Sequence, residues 1–236
     1  MISLFQFTTP PHSCSYLPEQ TSRMHYEIVG EMSPREYRTR LEAGWRRFGS
    51  SVFEPRCPQC RACRSLRVDV KRFQPNRSQR RAWAANSDVE LRVGEPSVSD
   101  EKLDLYDRFH DFQVGNKGWP EHAPKEEDSY VESFVVNPIP TLEMCYFLNG
   151  RLVGTGYVDN LPGAMSAIYF FYAPEERQRS LGTFNVLNIL DQARRQGVPY
   201  LYLGYFVDGC RSLEYKAKFL PNQVVDGNGI WRDFRS

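Results

Sequence analysis

Three cysteines in a CxxCxxC spacing, Cys57, Cys60 and Cys63, and a fourth at Cys14, are the residues whose types and placement most plainly suit chemistry. Four thiolates fit a tetrahedral zinc or an iron–sulfur cluster, with Cys14 reaching the set from the other side of its domain. Reduced buried or loop thiols are the alternative, and His12, two residues before Cys14, is a substitute ligand. Cys145 and Cys210 fall on a strand and near a turn and read as structural. The cysteine run lies in a strongly cationic stretch. Arg56 to Arg81 carries nine basic residues and one acid, +8 in a chain whose net charge is +1, which leaves −7 for the rest. Asp88 to Asp111 answers with eight carboxylates. Such segregation speaks about partners rather than fold, and a solvated charged face is its plain reading. No Ser-His-Asp or Cys-His set stands at a recognisable spacing, which disfavours a covalent mechanism.

The elements that must position these groups follow from periodicity and punctuation. The chain has 236 residues, 41% hydrophobic and 25% charged, an ordinary globular composition that excludes a disordered, collagenous or coiled-coil chain. Its apolar runs are too short to span a bilayer. The start, MISLFQF, lacks the basic and apolar regions of a signal peptide, so a reducing cytoplasmic setting is expected. Ser33, Pro34 and Glu36 open a helix whose inner face is Tyr37, Leu41, Trp45 and Phe48, with Gly49 as its stop. A loop over 57–63, a strand at 66–70 and an arginine-faced helix at 77–86 follow. Residues 87–98 read as a polar linker, and the domain boundary is placed at 95/96. Ser99 caps a helix carrying Leu103, Tyr106 and Phe109, and 113–128 reads as a long loop. Strands at 142–148, 151–159 and 164–172 come next, the first two joined by the hairpin turn Asn149-Gly150. Ser180 caps a helix with Leu181, Phe184, Leu187 and Leu190 inward and Gly197 beyond it. A strand at 199–206, a helix at 210–219 and one short final strand near 223–231 complete the chain.

This β-β-β-α-β-α order is the core order of the GNAT acyltransferases. The expected architecture is α+β: a GNAT-like core of mixed sheet and flanking helices over 96–236, with a small cysteine- and arginine-rich α+β domain over 1–95 packed on it. In such a core the turn before the central helix holds an anion on free backbone N–H groups. Here that turn is ERQRSLGT, with Arg179, Ser180, Leu181, Gly182 and Thr183 as candidates. A plain helix start is the other reading. A coenzyme A user would carry a longer glycine-rich loop.

Three further segments, RLVGTGYVDNLPGAMSAIYFFYAP, RSLGTFNVLNILDQARRQGVPYLYLGYF and LEYKAKFLPN, resemble the carboxy-terminal region of the aminoacyl-tRNA–protein transferases. CPQCRACRSLRVDVKRFQPNRSQRRAWAAN resembles the amino-terminal domain of the same family, so the likeness runs from about Cys14 to Trp231. The length and the CPxCxxC variant are similar to the compact bacterial aspartate/glutamate leucyl type. The resemblance implies transfer of leucine from leucyl-tRNA to the N-terminal amine of a protein beginning with Asp or Glu, marking it for N-degron degradation. ATP and coenzyme A are not required, because the tRNA ester is already activated. No membrane partner is implied, and a monomer is expected. Eukaryotic relatives place a CxxC before an adjacent cysteine pair. Leu17 stands where the second cysteine of that first pair would be, so Cys14 and Cys57 carry over best.

Set against that reaction, Arg77, Ser78, Arg80 and Arg81 become the tRNA surface, with Trp83 able to stack on a base though better read as core. Some of these arginines, or Lys216, would meet the acceptor's acidic side chain. A peptide α-amine titrates near ~7.7–8.0, so positioning and oxyanion stabilisation matter more than a strong base. Tyr215, Lys216 and the turn at Ser180–Thr183 are the candidates, and Asp208 is a conceivable proton acceptor. The alternatives are an arginyl-tRNA–protein transferase, an acetyl-coenzyme A-dependent N-acetyltransferase and a non-enzymatic, metal-stabilised RNA binder.

Overall fold

The computed structural model describes residues 1–235. Its first strand, β1 (Ile2–Thr8), is followed by a minimal hairpin of β2 (His12–Ser13) and β3 (Thr21–Ser22) and by β4 (Met24–Glu31). Helix α1 (Pro34–Glu42) begins on the expected capping box: Ser33 Oγ accepts from Glu36 N–H while the Glu36 carboxylate accepts from Ser33 N–H. The helix stops earlier than its apolar spacing suggests. Gly44 turns the chain at φ +93°, Trp45 lies in that turn, and Phe48 belongs to a strand, β5 (Arg46–Phe48). Gly49, at φ +55°, then closes a hairpin with β6 (Ser51–Pro55). These strands form an antiparallel sheet in the order β1-β4-β6-β5.

The larger sheet has eight strands. It takes β7 (Arg64–Asp69) and β8 (Val89–Gly94) from the first half of the chain, with α2 (Arg77–Ala84) between them. Residues 87–98 are therefore not a linker: Val89 and Leu91 point into the core and β8 pairs with the next strand along six positions. Helix α3 (Asp100–Lys117) is capped by Ser99 as expected, and it runs on to Gly118, so the loop foreseen at 113–128 shrinks to the segment before α4 (Glu127–Tyr130). A π-helical turn, Val131–Val135, extends α4. The meander β9 (Thr141–Leu148), β10 (Arg151–Leu161) and β11 (Ala164–Tyr172) pairs antiparallel, with Asn149 and Gly150 both at positive φ in the tight turn. Helix α5 (Leu181–Arg195) returns the chain to β12 (Tyr200–Phe206), which runs parallel to β11. After α6 (Arg211–Glu214) and a 3-10 turn at Tyr215–Lys218, the end of the chain is a hairpin, β13 (Asn222–Val225) and β14 (Trp231–Arg235), where one strand was expected.

The order across the sheet is β14-β13-β7-β12-β11-β10-β9-β8. Alternation along β11 puts Phe171 against Tyr106 of α3 and Phe170 near Tyr146, beside Phe184 of α5, so the two long helices cover opposite faces. Leu181, Phe184, Leu187 and Leu190 are all buried, as the spacing foresaw. A second cluster joins the smaller sheet to the larger one through Tyr37, Leu41, Trp45 and Val52 against Leu161, Ala164 and Tyr202. The boundary at 95/96 does not divide the large sheet, since β7 lies inside it and β8 at its edge.

Candidate active site at the splayed strands

Strands β11 and β12 pair at only three positions, Ala164–Tyr200, Met165–Leu201 and Ser166–Tyr202. Beyond these the strands part, although β11 continues to Tyr172 and β12 to Phe206. A bulge between Tyr202 and Gly204, with Gly204 at φ +83°, turns β12 away while its other edge stays paired to β7. The opening exposes strand-edge carbonyls inside a sheet, where a polar partner is required.

Two cations supply it. Arg46, held over the gap by β5, donates from Nη1 to Ser166 Oγ at 3.1 Å and from Nη2 to the Ala167 carbonyl at 2.6 Å. Lys216 Nζ donates to the Tyr205 carbonyl at 2.9 Å. Gly204 separates them: a Cβ there would lie 3.4 Å from Arg46 Nε, Arg46 Nη2 and Lys216 Nζ. Arg46 is only 6% exposed, yet no carboxylate among the described residues pairs with it. Burial, reinforced by the positive Arg46 nearby, draws the Lys216 ammonium down to about 7. Tyr215, the next residue, is 40% exposed, but desolvation of its phenol pushes it up to about 12, so it stays a neutral hydroxyl.

The next residue on β5 is held quite differently. Arg47 makes a fully buried ion pair with Asp159, and it also donates to the Gly49 carbonyl, Asn137 Oδ1 and Thr141 Oγ1. Burial works against the Arg47 charge, but the Asp159 carboxylate outweighs it and the guanidinium is held above its ordinary range. Sequence reasoning missed both arginines by placing them on a helix. The signal that pointed here was the lone glycine inside the strand pattern YLYLGYF, a mark of a bulge or a close approach.

The other anticipated residues divide. Asp208 sits exposed on the turn after β12. Ser180 does not cap α5 with its side chain. It adopts a left-handed conformation, φ +58°, and its carbonyl accepts from Thr183 and Phe184 N–H. Only the first two amides of the helix, those of Leu181 and Gly182, are left for an anion. A Cβ on Gly182 would meet nothing within 4 Å, so no close approach demands that glycine. Arg179 is engaged internally, with Asp88 at 2.8 Å, Glu176 at 3.0 Å and the Ala85 carbonyl, and Asn86 Nδ2 holds the Arg179 carbonyl. The turn is thereby tied to the end of α2.

The basic stripe divides as well. Arg61 is spent on the Cys57 and Cys60 carbonyls, Arg64 lies over Phe206 and Phe234, and Arg67 is sandwiched between Tyr200 and Trp231. The face that remains for a polyanion is Lys71, Arg72, Arg77, Arg80 and Arg81, all exposed. Ser78 Oγ bonds Asn76 Oδ1, inside an Asn76–Gln79 capping box that fixes the start of α2. Trp83 is not core: it is 44% exposed and rests edge-on against Phe184.

Cys14, Cys57, Cys60 and Cys63 do converge. They line one small cavity of about 30 Å³ with Tyr16 and Val207, while His12 turns to the Pro10 carbonyl. Cys14 Sγ accepts from Tyr16 N–H and Cys60 Sγ from Ala62 N–H. Burial, then the neighbouring Cys14, Cys57, Cys60 and Cys210, pushes the Cys63 thiol up to about 12. The donor set suits a thiophilic metal, but among the described residues no three such side chains are placed to hold one. Cys145 and Cys210 are buried, on β9 and at the start of α6.

A two-cation splay in an α+β sheet, flanked by an exposed basic helix, suits a transferase acting on anionic substrates. Residues 12–81 match the family described as arginine-tRNA-protein transferase, N terminus, and residues 101–226 match its C terminus. The aspartate/glutamate leucyltransferase of Halorhodospira halophila is 37% identical over 227 residues, covering 94% of this chain and 93% of that one. That of Marinobacter nauticus is 36% identical over 235 residues, 98% and 96% of the two chains, and that of Pseudomonas fluorescens 35% identical over 221, 93% and 92%. The chain belongs to the arginine-tRNA-protein transferase family and is an aminoacyltransferase. Among solved structures, the C-terminal DUF2156 domain named for a lysylphosphatidylglycerol synthetase in Agrobacterium fabrum superimposes with a TM-score of 0.50 at 15% identity, over 88% of this chain and 82% of that one. That likeness speaks to the fold alone. The two family segments break between residues 81 and 101, around the expected boundary, although the sheet runs through it.

Proposed function

We propose that the chain transfers leucine from leucyl-tRNA to the N-terminal amine of proteins beginning with Asp or Glu, and that the splay between β11 and β12 is where this happens. The relatives' names support the donor and the acceptor. The single observation that supports the site is the buried Arg46 without a carboxylate partner among the described residues. A buried charge is expected to be paired, and an acidic side chain arriving with the acceptor would supply the missing counter-charge. Two of the five N–H donors of Arg46 are used by Ser166 and Ala167, which leaves a fork for that carboxylate.

Lys216 takes the proton traffic. With its affinity for protons lowered to about 7, it is roughly half neutral at pH 7. The acceptor's neutral α-amine attacks the ester carbonyl. As the C–N bond forms the amine gives one proton to Lys216. As the C–O bond to the ribose breaks, Lys216 returns that proton to the leaving oxygen. Tyr215 and the Leu181 and Gly182 amides are the donors proposed for the oxyanion. The α2 face carries the tRNA. The GNAT-like description of the core belongs to this reading, supported by the meander–helix–parallel strand order and the splay.

We also propose that the reaction is cytoplasmic and that the leucylated product enters N-degron degradation. Among the described residues no helix is long and apolar enough to cross a membrane. The cysteine cavity is proposed to take zinc or an iron–sulfur cluster, after its sulfurs draw closer. Metal content and visible absorbance of anaerobically purified protein, with and without Cys63→Ala, test that. The function is tested by incubating the protein with labelled leucyl-, arginyl- or phenylalanyl-tRNA and peptides beginning with Asp, Glu or Ala. Label from leucyl-tRNA on the Asp and Glu peptides alone is expected. Label from arginyl-tRNA would convert the reading to the arginyl type, and acetylation from acetyl-coenzyme A without tRNA would replace it.

A further inference from the structure

On the face of the large sheet away from Arg46, α2 and α5 leave an open apolar groove of about 410 Å³. Phe73, Leu187 and Leu190 floor it, and Trp83 stands as one wall. The indole presents an edge-on contact to Phe184 and leaves 44% of its surface to solvent. Among the described residues its N–H has no acceptor. A large aromatic half out of an apolar groove is an incomplete contact, and a flat, apolar-faced group stacked on the indole would complete it.

The rim says what kind of molecule brings that face. Arg80 is held at the groove by one bond from Nη1 to the Pro75 carbonyl at 2.6 Å, with its remaining donors turned to solvent. Arg77 and Arg81 stand on the same exposed helix, and Lys71 precedes it, none with an acidic partner among the described residues. Arg72 has only a distant contact with Asp69, at 3.9 Å. Arg194, on the other bank, is committed to the Val70 and Phe73 carbonyls, and Asp191 to Arg195. The cations free to act therefore lie on the α2 side, alongside the aromatic wall rather than around it. A row of unpaired cations with an aromatic platform beside it fits a single-stranded polynucleotide, whose phosphates track the charges while a base turns sideways to stack.

We propose that the α2–α5 groove is a subsite for an unpaired nucleobase, stacked on Trp83, and that its source is the single-stranded 3′ end of the donor tRNA. This rests on the tRNA-dependent reading above. Charge complementarity chooses the occupant: a leucyl side chain would fill the apolar floor but would leave the Arg77–Arg80–Arg81 row idle. Duplex RNA would engage the row and leave Trp83 idle.

The test measures affinity of the full chain for a deacylated tRNA and for the same tRNA lacking its unpaired 3′ nucleotides. Trp83→Ala should weaken binding of the intact tRNA by about 5- to 100-fold and leave the truncated one within a factor of about two. Trp83→Phe should retain most of the affinity. As a second measurement, a short oligonucleotide of the 3′-terminal sequence should quench the fluorescence of the wild type but not of Trp83→Phe. This keeps the proposal decidable should Trp83→Ala fold poorly. Equal losses on both RNAs, no loss on either, or quenching that persists in Trp83→Phe would each overturn it. In a parallel titration with leucyl-tRNA, a loss seen there and not with the deacylated tRNA would also overturn it and assign the groove to the donor's side chain. Failure of the wild type to bind tRNA at all would instead overturn the functional reading beneath it.

Discussion

Arg46 and Arg47 are consecutive residues on one short strand, both buried, and they do opposite things. Arg47 is saturated: Asp159, Asn137, Thr141 and the Gly49 carbonyl meet its guanidinium from every side. Among the described residues Arg46 meets only a hydroxyl and a carbonyl, with a lysine rather than a carboxylate for company. Strand alternation explains how neighbours can differ so much, since it sends them to different surroundings. The difference teaches how to separate structural from functional charge inside a fold. A buried cation whose partners close around it holds the fold together. One left electrostatically incomplete is open to a ligand's counter-charge, the role proposed for Arg46.

The comparison can be broken at several points. Arg47→Met should cost most, about 3–5 kcal/mol of stability in denaturant titration, because it strands the Asp159 charge in the core; Arg47→Met with Asp159→Leu should recover most of that. Arg46→Met should behave in reverse. Thermal stability should hold or rise, while kcat/KM toward Asp- and Glu-initiated peptides falls about 100-fold, a loss of about 3 kcal/mol in the transition state. A variant that lost stability and kept activity would make Arg46 a second Arg47.

Lys216 sharpens the contrast through pH. Its folded-state proton affinity is lowered to about 7, against 10.5 unfolded, so the folded state pays a full burial penalty below pH 7, and the penalty fades as pH rises toward 10.5. Lys216→Met should therefore stabilise the protein by about 2–4 kcal/mol at pH 6 and progressively less in alkali, measured by urea unfolding across pH. The same variant should remove the rise of activity through pH 7. Gly204→Ala should cost about 1–2 kcal/mol, from the positive φ, and slow transfer by setting a methyl between the two cations. The smallest effect on structure belongs to Arg77→Ala, Arg80→Ala and Arg81→Ala together. Melting should be unchanged, but the slope of log affinity for tRNA against log salt should fall by about 2–3 units.

Much of this was legible in the residues. The Asn149-Gly150 hairpin, the inward face of α5 and the helices begun at Ser33 and Ser99 are local statements, fixed by turn chemistry, capping and periodicity. The convergence of four cysteines was legible too, because their spacing already brought three of them together. Trp45 and Phe48 misled, since a helical spacing continued by chance through a glycine turn into a strand. Val89 and Leu91 looked like parts of a polar linker because edge-strand alternation sets the charged Glu90 and Arg92 beside them. Of the Arg46–Lys216 site, Lys216 was read from the LEYKAKF segment but Arg46 was not. It depends on a strand splay between residues far apart in the chain, and on which of two adjacent arginines finds a carboxylate.

The position of β7 carries a consequence in time. Val68 pairs with Leu201 on one side and Asn222 on the other, 133 and 154 positions further along. At roughly 5–20 residues per second, the ribosome needs roughly 7 to 30 seconds after making this strand to deliver its neighbours. Until then an alternating apolar strand waits with both edges open. The cationic residues that open and flank it, Arg64 at its start with Arg61, Lys71 and Arg72 on either side, are well placed to keep such nascent chains apart during that interval.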